Sequence, residues 1–251
     1  MKAKTSLGAL VLLVGVACSS TENQASVTPS GSTSSGVRVL TATDCLEFVC
    51  QGLLQPGQYR STLFDPAIDF EVTTPGWTWD YFGTAESGNF RLVADESHEL
   101  PYNSDGIYFL FDPAVASTDC DEAPEPGVGR SVEDLVAWFQ SAPGLVVSDA
   151  KRVSIGGLGG VQLDLRLDPG WMKTCPFSER MPVVPLVISR VDPGGYHDTM
   201  LQDMSMRWYM LDSIDGVLIV EIQDGPTGLS RHDLLRSGGE IVDSLVFSPP
   251  P

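Results

Sequence analysis

Apolar residues recur at every second position over Ala67 to Thr73, where Ile68, Phe70 and Val72 alternate with polar neighbours. That period predicts a half-buried strand, and Pro75-Gly76 turns the chain after it. TWDYF and NFRLVA predict further strands, joined through the Gly83 to Gly88 turn. Gly106 to Phe111, GIYFLF, is an unbroken apolar run of aromatic and branched residues and predicts a buried strand. LVVSDAKRVSI and VQLDLRLD flank the glycines at 156, 157, 159 and 160 and predict a hairpin. In its second arm Val161, Leu163, Leu165 and Leu167 face one way; Gln162, Asp164, Arg166 and Asp168 face the other. Such alternation implies a sheet that is wet on one side. VVPLVISR follows, with Pro185 suited to an edge or a bulge. SMRWYMLD and GVLIVEIQD form another hairpin around SIDG.

The period becomes helical twice. SVEDLVAWFQSAPG carries Leu135, Val136, Trp138 and Phe139 on one face. Ser131 with Asp134 three residues later suits a capping box, acidic Glu133 and Asp134 suit the helix start, and Pro143-Gly144 stops it. SRHDLLRSGGEIVDSLVF predicts a closing amphipathic helix from Ser230, weakened in its middle by Gly238-Gly239. Strands outnumber helices and hairpins join neighbours. The expected class is therefore α+β, a mainly antiparallel sheet with helices packed on its faces.

FEVTTPGW (Phe70 to Trp77) resembles the early strand and Pro-Gly-Trp turn of PsbP-like domains. SVEDLVAWFQ, VSIGGLGGVQLDL, GVLIVEIQD and IVDSLVF continue the order found in bacterial secreted lipoproteins of that superfamily, over roughly Gln58 to Phe247. The resemblance implies an α/β/α sandwich and a binding or assembly role; it transfers no catalytic residue. CLEFVC and the Cys175 loop match nothing in it.

The N-terminus changes the setting. Lys2 and Lys4 precede Leu7 to Ala17, an apolar run without charge. It is shorter than the ~20 residues a membrane span needs and reads as an export signal. Gly15-Val16-Ala17-Cys18 resembles the lipobox of bacterial lipoproteins, in which the cysteine is acylated and becomes the mature N-terminus. Gly15 stands where that family usually has Leu, and Gly15 and Ala17 also suit ordinary signal cleavage. Ser19 to Gly36 is polar and too poor in apolar residues to offset its ordering entropy. The organisation expected is a signal peptide over 1–17, a lipidated Cys18 and flexible tether over 18–36, and one globular domain over 37–251. The membrane is then reached only through the lipid anchor, on the extracytoplasmic face.

The formal charge of −18 excludes nucleic acid as a natural partner and disfavours adhesion to anionic head groups. Removing Cys18 from the five cysteines leaves Cys45, Cys50, Cys120 and Cys175, an even set that reads as two disulfides in an exported protein. Three pairings are possible. Cys45–Cys50 with Cys120–Cys175 is favoured, because the first two are close neighbours and the second two lie in long Pro-rich loops. No C-x-x-C spacing and only three histidines argue against a metal, and nothing in the sequence asks for a cofactor.

Catalytic signatures are missing: there is no G-x-S-x-G, no H-E-x-x-H, and the clustered glycines suit a turn rather than G-x-G-x-x-G. His197-Asp198 is the best general-base candidate, set against an exposed turn. Trp77, Trp79 and Tyr81 alternate, so they share a face that could stack on a sugar or another apolar ligand, with Asp80 and Glu86 adding hydrogen bonds. Against that stands a core role for the same rings. Three functions follow. The first is a non-catalytic binding or assembly module taking an envelope protein, glycan or lipid. The second is a lipid or small-molecule carrier. The third is a hydrolase using paired carboxylates such as Asp203 or Asp212.

Overall fold

The computed structural model describes residues 36–41, 49–63, 67–82, 89–94, 104–189, 197–225 and 229–248, with backbone only at 49, 50, 82, 89 and 197. The leader, Cys18, Cys45, the Cys50 side chain and the tether up to Ser35 lie outside the described residues.

Sixteen strands and two α-helices run through the described chain. They are β1 Arg38–Leu40, β2 Val49–Leu54, β3 Gly57–Ser61, β4 Ala67–Val72, β5 Trp77–Phe82, β6 Asn89–Val93, β7 Gly106–Phe111 and β8 Ala114–Val115. After α1 (Val132–Ser141) come β9 Leu145–Val147, β10 Lys151–Ile155, β11 Leu158–Leu167, β12 Val183–Ile188 and β13 His197–Leu201. The chain closes with β14 Ser205–Ser213, β15 Gly216–Asp224, α2 Arg231–Asp243 and β16 Val246–Ser248.

The central sheet has nine strands in the order β10-β11-β14-β15-β7-β6-β5-β2, with β9 also on β11, and all its pairs are antiparallel. A four-stranded sheet, β1-β3-β4-β16, and a three-stranded one, β13-β12-β8, stand apart from it. One core joins Phe70 of the four-stranded sheet, Phe90, Phe109 and Val220 of the central sheet, and Leu234 and Ile241 of α2. Tyr59, Phe70, Phe90 and Phe109 form a chain of ring contacts through it, with centroids 5.4 to 6.3 Å apart. The second core joins Val187 and Met200 of the three-stranded sheet, Trp208 and Ile219 of the central sheet, and Leu135 and Phe139 of α1.

This corrects the expected class. Strand makes up 51% of the structure and helix 15%, spread over several sheets, so the protein is mostly β rather than an α+β sandwich with helices on the sheet faces. The α/β/α sandwich implied by the PsbP-like resemblance goes with it. The physical reason is in the loops and the tail. The two-residue strand β8 pairs with β12, Val115 with Val187, across a long sequence separation that no local period reveals. The C-terminal segment read as one helix breaks at Ser244, and Val246–Ser248 pairs with β4. On β11 the alternation holds, with Leu163 and Leu165 buried and Gln162, Asp164 and Arg166 partly or fully exposed, but further across the sheet β15 is buried on both faces from Val217 to Gln223.

Local rules hold where they are strong. Ser131 caps α1, its Oγ accepting from the Asp134 N–H at 3.1 Å while Asp134 accepts back from the Ser131 N–H. Gly156 and Gly157, at φ +58° and +87°, make the two-residue turn between β10 and β11, a conformation natural to a right-twisted hairpin. Pro185 sits beside a shift of register between β12 and β13.

Candidate functional site

A polar row crosses the central sheet. Asp80 on β5 pairs in register with Arg91 on β6, Arg91 with Tyr108 on β7, Tyr108 with Glu221 on β15, and Glu221 with Trp208 on β14. Residues in register share a face, and this one carries the core beneath α1 and the three-stranded sheet. Each of these strands is otherwise mainly apolar, so the row is set into a hydrophobic layer, joined on the same face by buried Thr78 of β5 and Gln223 of β15.

The row is wired together. Arg91 donates through Nε at 2.8 Å and a terminal nitrogen at 2.6 Å, both to Oδ2 of Asp80. Its guanidinium lies 5.8 Å from the Tyr108 ring centroid. The Tyr108 hydroxyl donates to the Ser104 carbonyl at 2.9 Å, and the Gln223 amide donates to the same carbonyl and to that hydroxyl. Trp208 donates its indole N–H to Oε2 of Glu221 at 2.6 Å. At the head of β7, Asp105 accepts the N–H groups of Gly225 and Leu229, tying the sheet to the approach of α2.

Asp198, on β13 of the three-stranded sheet, meets Glu221 from above the row, their side chains in hydrogen-bond contact. Oδ1 of Asp198 accepts the Thr199 N–H at 2.8 Å. Oδ2 of Asp198 and Oε1 of Glu221 have no other donor among the described residues. Two carboxyls with facing, unserved oxygens are satisfied by one shared proton. Their environment agrees: Glu221 is 0% exposed and Asp198 6%. Burial drives both carboxyls above their ordinary range, and the neighbouring Asp198 raises Glu221 further. Burial also pushes the Tyr108 hydroxyl up, so it stays neutral.

The pair resembles an acid–base dyad chemically but has no face toward a substrate. Glycosidic carboxyls flank a bond at roughly 5 to 9.5 Å from each other, whereas these touch and are sealed. What the arrangement favours is a proton held between two sheets, since burial raises both carboxyls.

The residues singled out from sequence fall elsewhere. Trp77, Trp79 and Tyr81 do share a face, but it is the core face, at 2%, 5% and 6% exposure, so no ring is open to a ligand. A Cβ at Gly52 would lie 2.6 Å from the Trp79 indole nitrogen, so that glycine makes room for the ring across β2. Asp80 points to the opposite face, into the polar row; Glu86 lies outside the described residues. Asp198 lies not on an exposed turn but on buried β13, and the His197 side chain is outside the described residues. Asp203 and Asp212 are both exposed. Cys120 and Cys175 are joined, with Cα atoms 5.6 Å apart. Exposed Met172, Phe177 and Met181 cluster in sequence around Cys175. Among the described residues no group of His, Cys, Asp and Glu is arranged to hold a metal, and no helix is long and apolar enough to cross a membrane.

Glu221, Arg91 and Tyr108 were missed as site residues. The available signal was Glu221 in the middle of the apolar run VLIVEI and a lone arginine inside NFRLVA, since a charge in a buried strand requires a partner. No protein-family profile matches the chain, and no curated protein matches it either.

Proposed function

We propose that this chain is an exported, lipid-anchored module of the cell envelope that binds or assembles with another envelope component and carries out no turnover. The observation that carries the reading is the Cys120–Cys175 bridge, which ties two loops 55 residues apart in sequence. Such a bond persists in an oxidising compartment, in keeping with the leader and lipobox-like Cys18. The bridge also holds the segment that presents Met172, Phe177 and Met181 to water, the kind of apolar surface that a partner covers. The Asp198–Glu221 pair is sealed from solvent, which favours this reading over a hydrolase built on it.

Mass spectrometry of the mature N-terminal peptide tests the anchor. The expected product begins at an acylated Cys18; an intact, unmodified N-terminus in the cytosol with free thiols overturns it. Photo-cross-linking from positions 172, 177 and 181 in intact cells tests the binding role. A discrete adduct is expected, and none from any of the three positions refutes it.

A further inference from the structure

We propose that Asp198 and Glu221 form a proton-operated latch between the three-stranded sheet and the central sheet: sharing a proton they clasp the two layers, and without it they repel. The geometry is specific to a latch. The carboxyls come from different sheets, Asp198 from β13 and Glu221 from β15. Each has one oxygen served by its own side, Thr199 N–H for Asp198 and the Trp208 indole for Glu221. The two remaining oxygens are left for each other.

Among the described residues the surroundings offer no substitute for the proton. From β7 the neighbouring titratable group is Tyr108, which stays neutral and whose hydroxyl is engaged with Ser104 and Gln223. From β6 it is Arg91, whose charge is taken up by Asp80 of β5. From β14 comes Trp208, which donates a hydrogen bond but brings no charge. The packing residues of α1 are Val132, Leu135 and Phe139, and β12 places Val187 opposite Asp198, all apolar.

The direction of the pH response follows. In an opened state each carboxyl titrates near its ordinary value of about 4. Clasped, Asp198 holds its proton to about 6, and burial together with the neighbouring Asp198 holds Glu221 well above its ordinary range. The clasped state therefore binds more protons from about pH 4 upward, and the clasp weakens as pH rises. Above about pH 6, for as long as Glu221 holds its proton, one proton separates the states, so the opening constant grows about tenfold per pH unit.

Hydrogen exchange of the full folded chain over that range, with the intrinsic rate divided out, reads this directly. Amides of β12 and β13 should open about tenfold more per unit, with β14 and β15 changing far less. In Glu221→Gln the amide donates to Asp198 in place of the proton, and the pH dependence should disappear; in Asp198→Asn burial still raises Glu221 but its charged neighbour is gone, so the dependence should shift to higher pH or shrink. Infrared spectroscopy of the wild-type protein at pH 7 should show a protonated carboxyl that Glu221→Gln lacks, a readout independent of the exchange rates. A flat wild-type response, a response spread equally over all strands, an unchanged slope in Glu221→Gln, or no protonated carboxyl in the wild type would each overturn the latch.

Discussion

Removing Arg91 should cost far more than removing an ordinary surface arginine. In Arg91→Met the aliphatic stem remains, but Asp80 loses donors at 2.8 and 2.6 Å while its side chain is only 5% exposed. Oδ1 of Asp80 already has no partner among the described residues, so the carboxylate would be left buried without compensation. Breaking one side of a buried ion pair costs about 3–5 kcal/mol, a large part of the roughly 5–15 kcal/mol of a typical domain. Removing the charge as well, in Asp80→Asn/Arg91→Met, should recover part of the loss and leave about 1–3 kcal/mol for an imperfectly satisfied amide. Urea unfolding followed by circular dichroism measures all three proteins. A loss under about 1 kcal/mol in the single variant, well short of the buried-pair cost, or a double variant no more stable than the single one, would refute the argument.

Three further outcomes follow from local geometry. A Cβ at Gly160 would lie 2.1 Å from the Met210 carbonyl oxygen, whereas one at Gly159 meets nothing within 4 Å. Thermal denaturation should therefore show Gly160→Ala destabilised by about 1–3 kcal/mol or more and Gly159→Ala changed by no more than about 0.5 kcal/mol. Ser131→Ala removes the side-chain half of the α1 capping box, leaving the backbone N–H of that position on Asp134, and should cost about 1 kcal/mol in the same assay. Replacing Cys120 and Cys175 by serine frees a loop with a sequence separation of 55, and the chain-entropy relation gives a loss of about 4 kcal/mol, measurable by urea midpoint.

What the sequence made legible was local. The β14–β15 hairpin, the Gly156-Gly157 turn and the start of α1 depend on residues a few positions apart, and each forms where its pattern places it. The role of Trp77, Trp79 and Tyr81 depends on which face of β5 is covered, and that is decided by β4 and α2, the latter some 150 residues away. The closing segment misleads for the same reason. Leu245, Val246 and Phe247 continue an apolar helical pattern, but β4 supplies hydrogen bonds for a strand, and pairing overrides period. The polar row was least visible because its members are single residues on five strands, with Asp80 and Trp208 far apart in sequence, and alignment exists only after the strands have paired.

That alignment gives the row a second consequence, in choosing the register of the sheet. Strands β5, β6, β7 and β15 are buried on both faces, so alternation of polar and apolar residues does not discriminate strongly between one register and a slipped one. A slip of one residue on β6 would turn Arg91 toward the face that holds Phe90, Leu92 and Phe109, and would strand Asp80 without its cation. The same slip on β15 would move Glu221 away from Trp208 and Asp198 into the neighbourhood of Val220 and Ile222. Each error buries an unpaired charge, with a cost of several kcal/mol that purely apolar strands would not incur. The polar groups are thus poor sources of net stability and strong arbiters between competing pairings. The three-stranded sheet, docked through Asp198 onto the same row, takes its own position from the register they enforce.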